Sequence, residues 1–208
     1  MAVNLQKGQK VDLTKGNAGL KKVMVGLGWD EVQPEKGGFF SGLLGKKKED
    51  IDCDAMAFLL DASGRIMGKD DVIFFGNLSH TGGCVRHMGD NLTGGGEGDD
   101  EQIFIDLANL PARYDKVVIL VSIYEAAQRK QHFGMVQNAF IRLVDNDTRN
   151  ELCIYNLTEN YSGMVGMVFG EIYRHEGEWR FAAVGEGLKS SSVLELAGRY
   201  GLPARAWR

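Results

Sequence analysis

The residues best suited to chemistry lie in one stretch, Gly89-Asp90-Asn91-Leu92-Thr93-Gly94-Gly95-Gly96-Glu97-Gly98-Asp99-Asp100-Glu101-Gln102. It holds five glycines and five acids in fourteen positions and no Lys or Arg. Two carboxylates about 4 Å apart repel by roughly 4 kcal/mol at an effective dielectric of about 20, and glycine gives up the most backbone freedom on ordering. An ordered loop of this composition therefore calls for a positive charge. A hard divalent cation suits it best, because Ca2+ takes about 6–8 oxygens from carboxylates, amides and carbonyls, and glycines let carbonyls turn inward. The competing reading is a solvated acidic hairpin tip. Against that reading, Gln102 to Leu107 alternates apolar residues at Ile103, Ile105 and Leu107 as a strand does. The acids thus sit at a strand mouth.

Other uses of the glycines fail on spacing. A P-loop needs Lys and Ser/Thr after its last glycine, where this chain has Asp99 and Asp100. A dinucleotide fingerprint turns into a helix, whereas this stretch leads into a strand. An EF-hand loop counted from Asp90 puts Leu92 and Gly94 where oxygen ligands belong.

The elements that must position these acids can be read in turn. Ile51 to Leu60 is so apolar that it reads as a strand buried on both faces, and alternation puts Asp52 and Asp54 on one side of its head. Counting from Asp50, the acids at 50, 52, 54 and 61 imitate an EF loop, but Ala55 replaces the required glycine. Lys21 to Asp30 reads as another strand, ending in an acid. The four histidines, His80, His87, His132 and His175, lack HxxxH or HExxH spacing and read as surface or loop side chains. Cys84 and His87 share a loop and invite a nucleophile–base reading, yet no third group that would orient the base is visible. Glycosidase-type carboxylates are disfavoured, since the acids are too many and too crowded.

Two short strands near Val3 to Leu13 precede these elements, and Val72 to Phe75 reads as a strand returning from the turn at Asp61 to Gly64. Residues 34–49, with Pro34, Gly37, Gly38 and the run Lys46-Lys47-Lys48, read as a loop insertion with a solvated basic face. Lys116 to Tyr124 is β-branched like a central strand, and Glu125 to Gln131 reads as two turns of helix. Strand candidates follow at 139–144, 151–157, 164–173 and 179–184. Ser190 to Tyr200 carries a capped helical pattern stopped by Gly201 and Pro203. About ten strands at roughly regular spacing predict a mainly β fold, a β-sandwich of two sheets with short peripheral helices including a C-terminal helix.

The totals narrow the class. The 208 residues suit a single domain spanning 1–208, and the net charge of −4 disfavours a nucleic-acid binder. No apolar run approaches the roughly 20 residues of a membrane span, and no signal-peptide core opens the chain. The expectation is a cytoplasmic protein that does not insert in a membrane. Cys53, Cys84 and Cys153 are odd in number and far apart, so they read as reduced thiols, most of them packing residues.

Gly26-Leu27-Gly28-Trp29-Asp30, Asp52-Cys53-Asp54-Ala55, the glycine-acid stretch and Phe169-Gly170-Glu171-Ile172-Tyr173 occur in this order. With them the chain resembles, over nearly its whole length, the TerD family of bacterial tellurium-resistance and stress proteins. The resemblance implies a non-enzymatic calcium-binding β-sandwich with two or more Ca2+ ions in adjacent sites, made as part of a stress response that includes tellurite resistance. It also implies protein partners, among them other stress and tellurium-resistance proteins, one of them membrane-embedded. Asp52, Asp54, Asp90, Asn91, Asp99, Asp100 and Glu101 match the family's acidic motifs, and Asp30 matches the acid after the tryptophan. Thr93 and Gly98 would add a hydroxyl and a carbonyl. Cys53, Met56 and the 34–49 insertion depart from the commoner pattern. The alternative class is a phosphoester hydrolase holding Mg2+ or Ca2+ in the acidic cluster. An anion binder would need an Arg beside the cluster, and Arg86 is the near candidate.

Overall fold

Strand alternation organises the molecule. The computed structural model describes residues 2–31, 51–89 and 98–207, so the expected 34–49 insertion lies outside the described residues. The strands are β1 (Val3–Leu5), β2 (Lys10–Asp12), β3 (Lys22–Glu31), β4 (Cys53–Leu60), β5 (Val72–Ile73), β6 (Val85–His87), β7 (Glu101–Asp106), β8 (Lys116–Ile123), β9 (Val136–Asp145), β10 (Glu151–Asn156), β11 (Gly166–His175) and β12 (Glu178–Leu188). Helices α1 (Ala126–Arg129) and α2 (Val193–Arg199) are short. The first sheet runs β1-β10-β9-β3-β7-β6 and the second β2-β12-β11-β8-β4-β5. Every named pairing is antiparallel except β1 with β10. Among the described residues no helix is long and apolar enough to cross a membrane.

The period of two decides what faces what. Val23, Val25 and Leu27 of β3 and Ile103 and Ile105 of β7 turn inward to meet Ala55, Ala57 and Leu59 of β4 in the core between the sheets. The other face of β4, with Met56, Phe58 and Leu60, packs against Leu196 and Ala197 of α2 and Leu202 beyond it. That cover explains why β4 is buried along its whole length, as its composition predicts.

Several local expectations need correction. The helical turn expected over 125–131 shrinks to α1, whose flanking Glu125 and Lys130 both adopt left-handed backbone conformations. The returning strand at 72–75 ends at Ile73, because Phe74 already bridges back to Asn77 in a tight turn. β6 lies where only a loop was expected, pairing its three residues with β7. Ser192 stands at the N-cap of α2 but makes no side-chain capping bond. Packing of Leu196 and Ala197 holds this helix, since most helical stability comes from an apolar face.

Candidate metal centre

Edge geometry brings the sheets together at one end of the sandwich. The Asp52 carbonyl accepts the Tyr124 N–H at 2.8 Å, so even-numbered residues of β4 bond β8. Ala55 therefore turns its N–H to the opposite edge, where β5 pairs only Ala57 and Phe58 and has already ended. The Glu101 carboxylate, from the first sheet, fills that gap by accepting the Ala55 N–H. Glu101 has the parity of Ile103 and Ile105, so it points inward at the head of β7 and is only 2% exposed. The heads of β4 and β7 thus share one pole.

Three further acids gather there. Asp100 is clamped at the start of β7: its N–H donates to the Leu27 carbonyl at 2.7 Å, and its carboxylate accepts the Trp29 N–H at 2.8 Å. Asp52 and Asp54 are both buried beside Cys53. Burial pushes the Cys53 thiol well above its ordinary range, and the charges of Glu101, Asp54, Asp52 and Asp100, in that order, push it further. Glu101, from the opposite sheet, thus outranks the residues that flank Cys53 in sequence.

His87 is a member that the sequence reading misplaced. It is 3% exposed rather than on the surface, because in β6 it shares the inward parity of Val85. Its Nδ1 accepts the Gly89 N–H at 3.1 Å, which assigns the ring proton to Nε2, and Nε2 faces Glu101 Oε2 at 3.6 Å. The signal was the alternation Val85-Arg86-His87, hidden by the turn residues on both sides.

Asp30 and Gly98 lie next to this group. Both line, with Trp29, Asp100 and Asn138, a pocket of about 390 Å3, and Asn138 Nδ2 donates to Asp30 Oδ2 at 2.8 Å. Asp99 is turned elsewhere. Its carboxylate lies on the outer face of the first sheet, over Gly26, and takes Arg142 Nε at 2.7 Å and Nη2 at 3.1 Å. That bond raises the Arg142 pKa and commits Asp99 to an ion pair. Asp90, Asn91 and Thr93 lie outside the described residues.

The donor chemistry suits a hard cation, since Asp52, Asp54, Asp100 and Glu101 carry carboxylates at the heads of β4 and β7 and the buried Cys53 thiol keeps its proton. As placed, no three or more His, Cys, Asp or Glu side chains among the described residues are grouped closely enough to hold a metal ion. The Cys84–His87 pairing considered from sequence is not formed; Cys84 meets His80 instead, at 3.4 Å.

Two mainly antiparallel sheets joined at an acid-rich pole define the class of this molecule: a β-sandwich carrying a candidate cation site built from strand heads. A model of the TerD domain matches residues 1–200, so the chain belongs to the TerD family. It is 53% identical over 200 residues to Stress response protein SCP2 of Bacillus subtilis (strain 168), covering 96% of this chain and 100% of that one. It is 43% identical over 204 residues to Tellurium resistance protein TerD of Serratia marcescens, covering 98% and 100%. In structure it is similar to SCO6318 from Streptomyces coelicolor A3(2), a homologue of telluride resistance protein (TerD). The TM-score is 0.63 at 22% identity, over 88% of this chain and 99% of that one.

Proposed function

We propose that this member of a tellurium-resistance and stress-response family is a non-enzymatic calcium-binding protein of the cytoplasm, associated with tellurite resistance and acting through protein partners. One observation carries the calcium reading: Glu101 crosses from the first sheet to cap Ala55 of the second, in company with Asp52, Asp54 and Asp100. So many carboxylates at one pole repel one another, and a cation offsets that repulsion. Asp52, Asp54, Asp100 and Glu101 are the ligands proposed among the described residues, with Asp30 and Gly98 beside them and Asp90, Asn91 and Thr93 from the same stretch. Asp99 joins them only by giving up Arg142.

Calorimetric titration tests this reading. Ca2+ is expected to bind at two or more sites. Mg2+ is expected to bind poorly, because it demands a tight octahedron and holds its waters. Asp54→Asn and Asp100→Asn should each weaken Ca2+ binding. Absence of Ca2+ heat, or equal affinity for the two ions, defeats the proposal.

A further inference from the structure

A second constellation lies away from the acidic pole, around a pocket of about 550 Å3 whose lining includes Cys84, Lys22, Arg86, Arg149 and Asp106. Among the described residues none of the three cations is ion-paired, and Arg86 rests its guanidinium over the Phe104 ring at 5.9 Å. The one carboxylate, Asp106, is engaged by the N–H and Nδ2 of Asn109 at 3.1 and 3.0 Å. The pocket therefore presents net positive charge to a small ligand, and its volume falls in the usual range for one, about 300–1,000 Å3.

Behind Cys84 runs a chain of oriented groups. Its Sγ lies 3.4 Å from His80 Nδ1, and His80 Nε2 lies 2.9 Å from the Tyr114 hydroxyl oxygen. The Tyr114 hydroxyl donates to Asp71 Oδ1, while Asp71 Oδ2 accepts the N–H groups of Met67 and Gly68 at 3.1 and 2.9 Å. Burial, with the Asp71 bond, pushes Tyr114 up to about 12, so it stays a donor to Asp71 and an acceptor from His80. That fixes the tautomer of His80: Nε2 carries the proton, and Nδ1 is the acceptor that meets the Gly82 N–H and the Cys84 thiol. Asp71 Oδ1, 3.6 Å from Nε2, stabilises the ring when it becomes charged. Cysteine, base and orienting groups are the parts that an activated thiol requires.

We propose that this pocket takes small disulfides bearing carboxylates and joins one half of them to Cys84. The Cys84 proton passes to His80 Nδ1, and the sulfur's electron pair attacks one sulfur of the bound disulfide. A new S–S bond forms to Cys84 as the reagent's own S–S bond breaks. The departing thiolate keeps that bond's electron pair, and it takes up the proton from His80 or leaves as an anion. No external oxidant is needed, because the small disulfide is itself reduced as Cys84 is oxidised. Lys22, Arg86 and Arg149 hold the carboxylates. Burial raises the Cys84 thiol, so it holds its proton until His80 accepts it. The other two thiols are held in their protonated form more strongly: burial and the charges of Glu101, Asp54, Asp52 and Asp100 raise Cys53 well above its range, and burial pushes Cys153 up to about 12.

The full chain should be treated in parallel with dithiobis-nitrobenzoate, which is anionic, and cystamine, which is cationic. Adducts are located by peptide mass mapping, and rates are normalised to those of the urea-unfolded chain. The expected result is one adduct, on Cys84, forming about tenfold faster with the anionic reagent through electrostatic focusing. Arg86→Gln should slow the anionic reagent alone, and His80→Gln should slow both. Arg86 is exposed, so its variant keeps the test valid if His80→Gln does not fold. Labelling of Cys84 no faster than that of Cys53 and Cys153, equal normalised rates for the two reagents, or an Arg86→Gln variant that behaves like the parent would each overturn the proposal.

Discussion

Neighbouring acids acquire opposite roles here because one backbone step turns them to different faces. Asp100 joins the pole shared by both sheets, whereas Asp99 is wholly covered on the outer face of the first sheet under the bidentate grip of Arg142. Arg142 stands opposite Gly26 in the β3–β9 register, and only a glycine leaves room there. A Cβ at position 26 would stand 2.3 Å from the Asp99 carboxylate carbon. Hydrogen bonds to charged groups contribute about 1.5–3 kcal/mol, so in chelator both Asp99→Asn and Gly26→Ala should lower unfolding free energy by about 2 kcal/mol. Asp100→Asn, which removes one of several like charges, should leave it unchanged or raise it. Urea unfolding of the three variants decides the matter, and equal losses for Asp99→Asn and Asp100→Asn would refute the division. Composition alone left the two acids indistinguishable, since the residue that separates them, Arg142, is 43 positions away.

At the level of elements, the turn joining β9 to β10 shows how local chemistry sets pH dependence. Burial pushes the Asp145 carboxyl up, but the Thr148 hydroxyl at 2.8 Å and the N–H groups of Asp147 and Thr148 outweigh it, and its pKa falls below 3.8. A depressed folded-state pKa contributes stability that is present above the unfolded value and lost as pH falls through the folded one. Asp145→Asn should therefore cost about 1 kcal/mol at neutral pH, and the gap to the parent should close below about pH 4. Chemical denaturation across that range measures it, and a gap that persists at low pH would show that the ionised form is not what the turn needs. The strand of residues 51–60 and the C-terminal helix were legible because their signals are local: a continuous apolar run and a period near 3.6. β6 and the parallel pairing of β1 with β10 were not, because partners far along the chain decide three-residue strands. His80 and His87 were read as surface groups for the same reason, their burial being set by strands and loops that no local pattern announces.

For the whole molecule, the acidic pole is where the sheets meet through charge as well as through the apolar core. Alternation predicts that Asp52 and Asp54 share a side, but nothing in the sequence says that β4 and β7 start at the same end; the Glu101 bond to Ala55, spanning 46 positions, establishes it. Carboxylates from the second sheet, Asp52 and Asp54, and from the first, Asp100 and Glu101, would then hold calcium as one network that ties the sheets together. A ligand at about 100 times its dissociation constant adds roughly 2.7 kcal/mol, which for a chain of this length raises Tm by about 5–10 °C. Thermal melts with Ca2+ and with chelator should show that rise. Residues within one network couple by about 0.5–3 kcal/mol, whereas separate sites add within a few tenths. Asp54→Asn and Asp100→Asn, one from each sheet, should therefore be clearly non-additive in calcium affinity, while Asp54→Asn and Asp145→Asn should add. Additive losses for the first pair would mean that each sheet binds its ion alone, and the calcium-dependent rise in Tm would then have to come from one sheet rather than from the bridge between them.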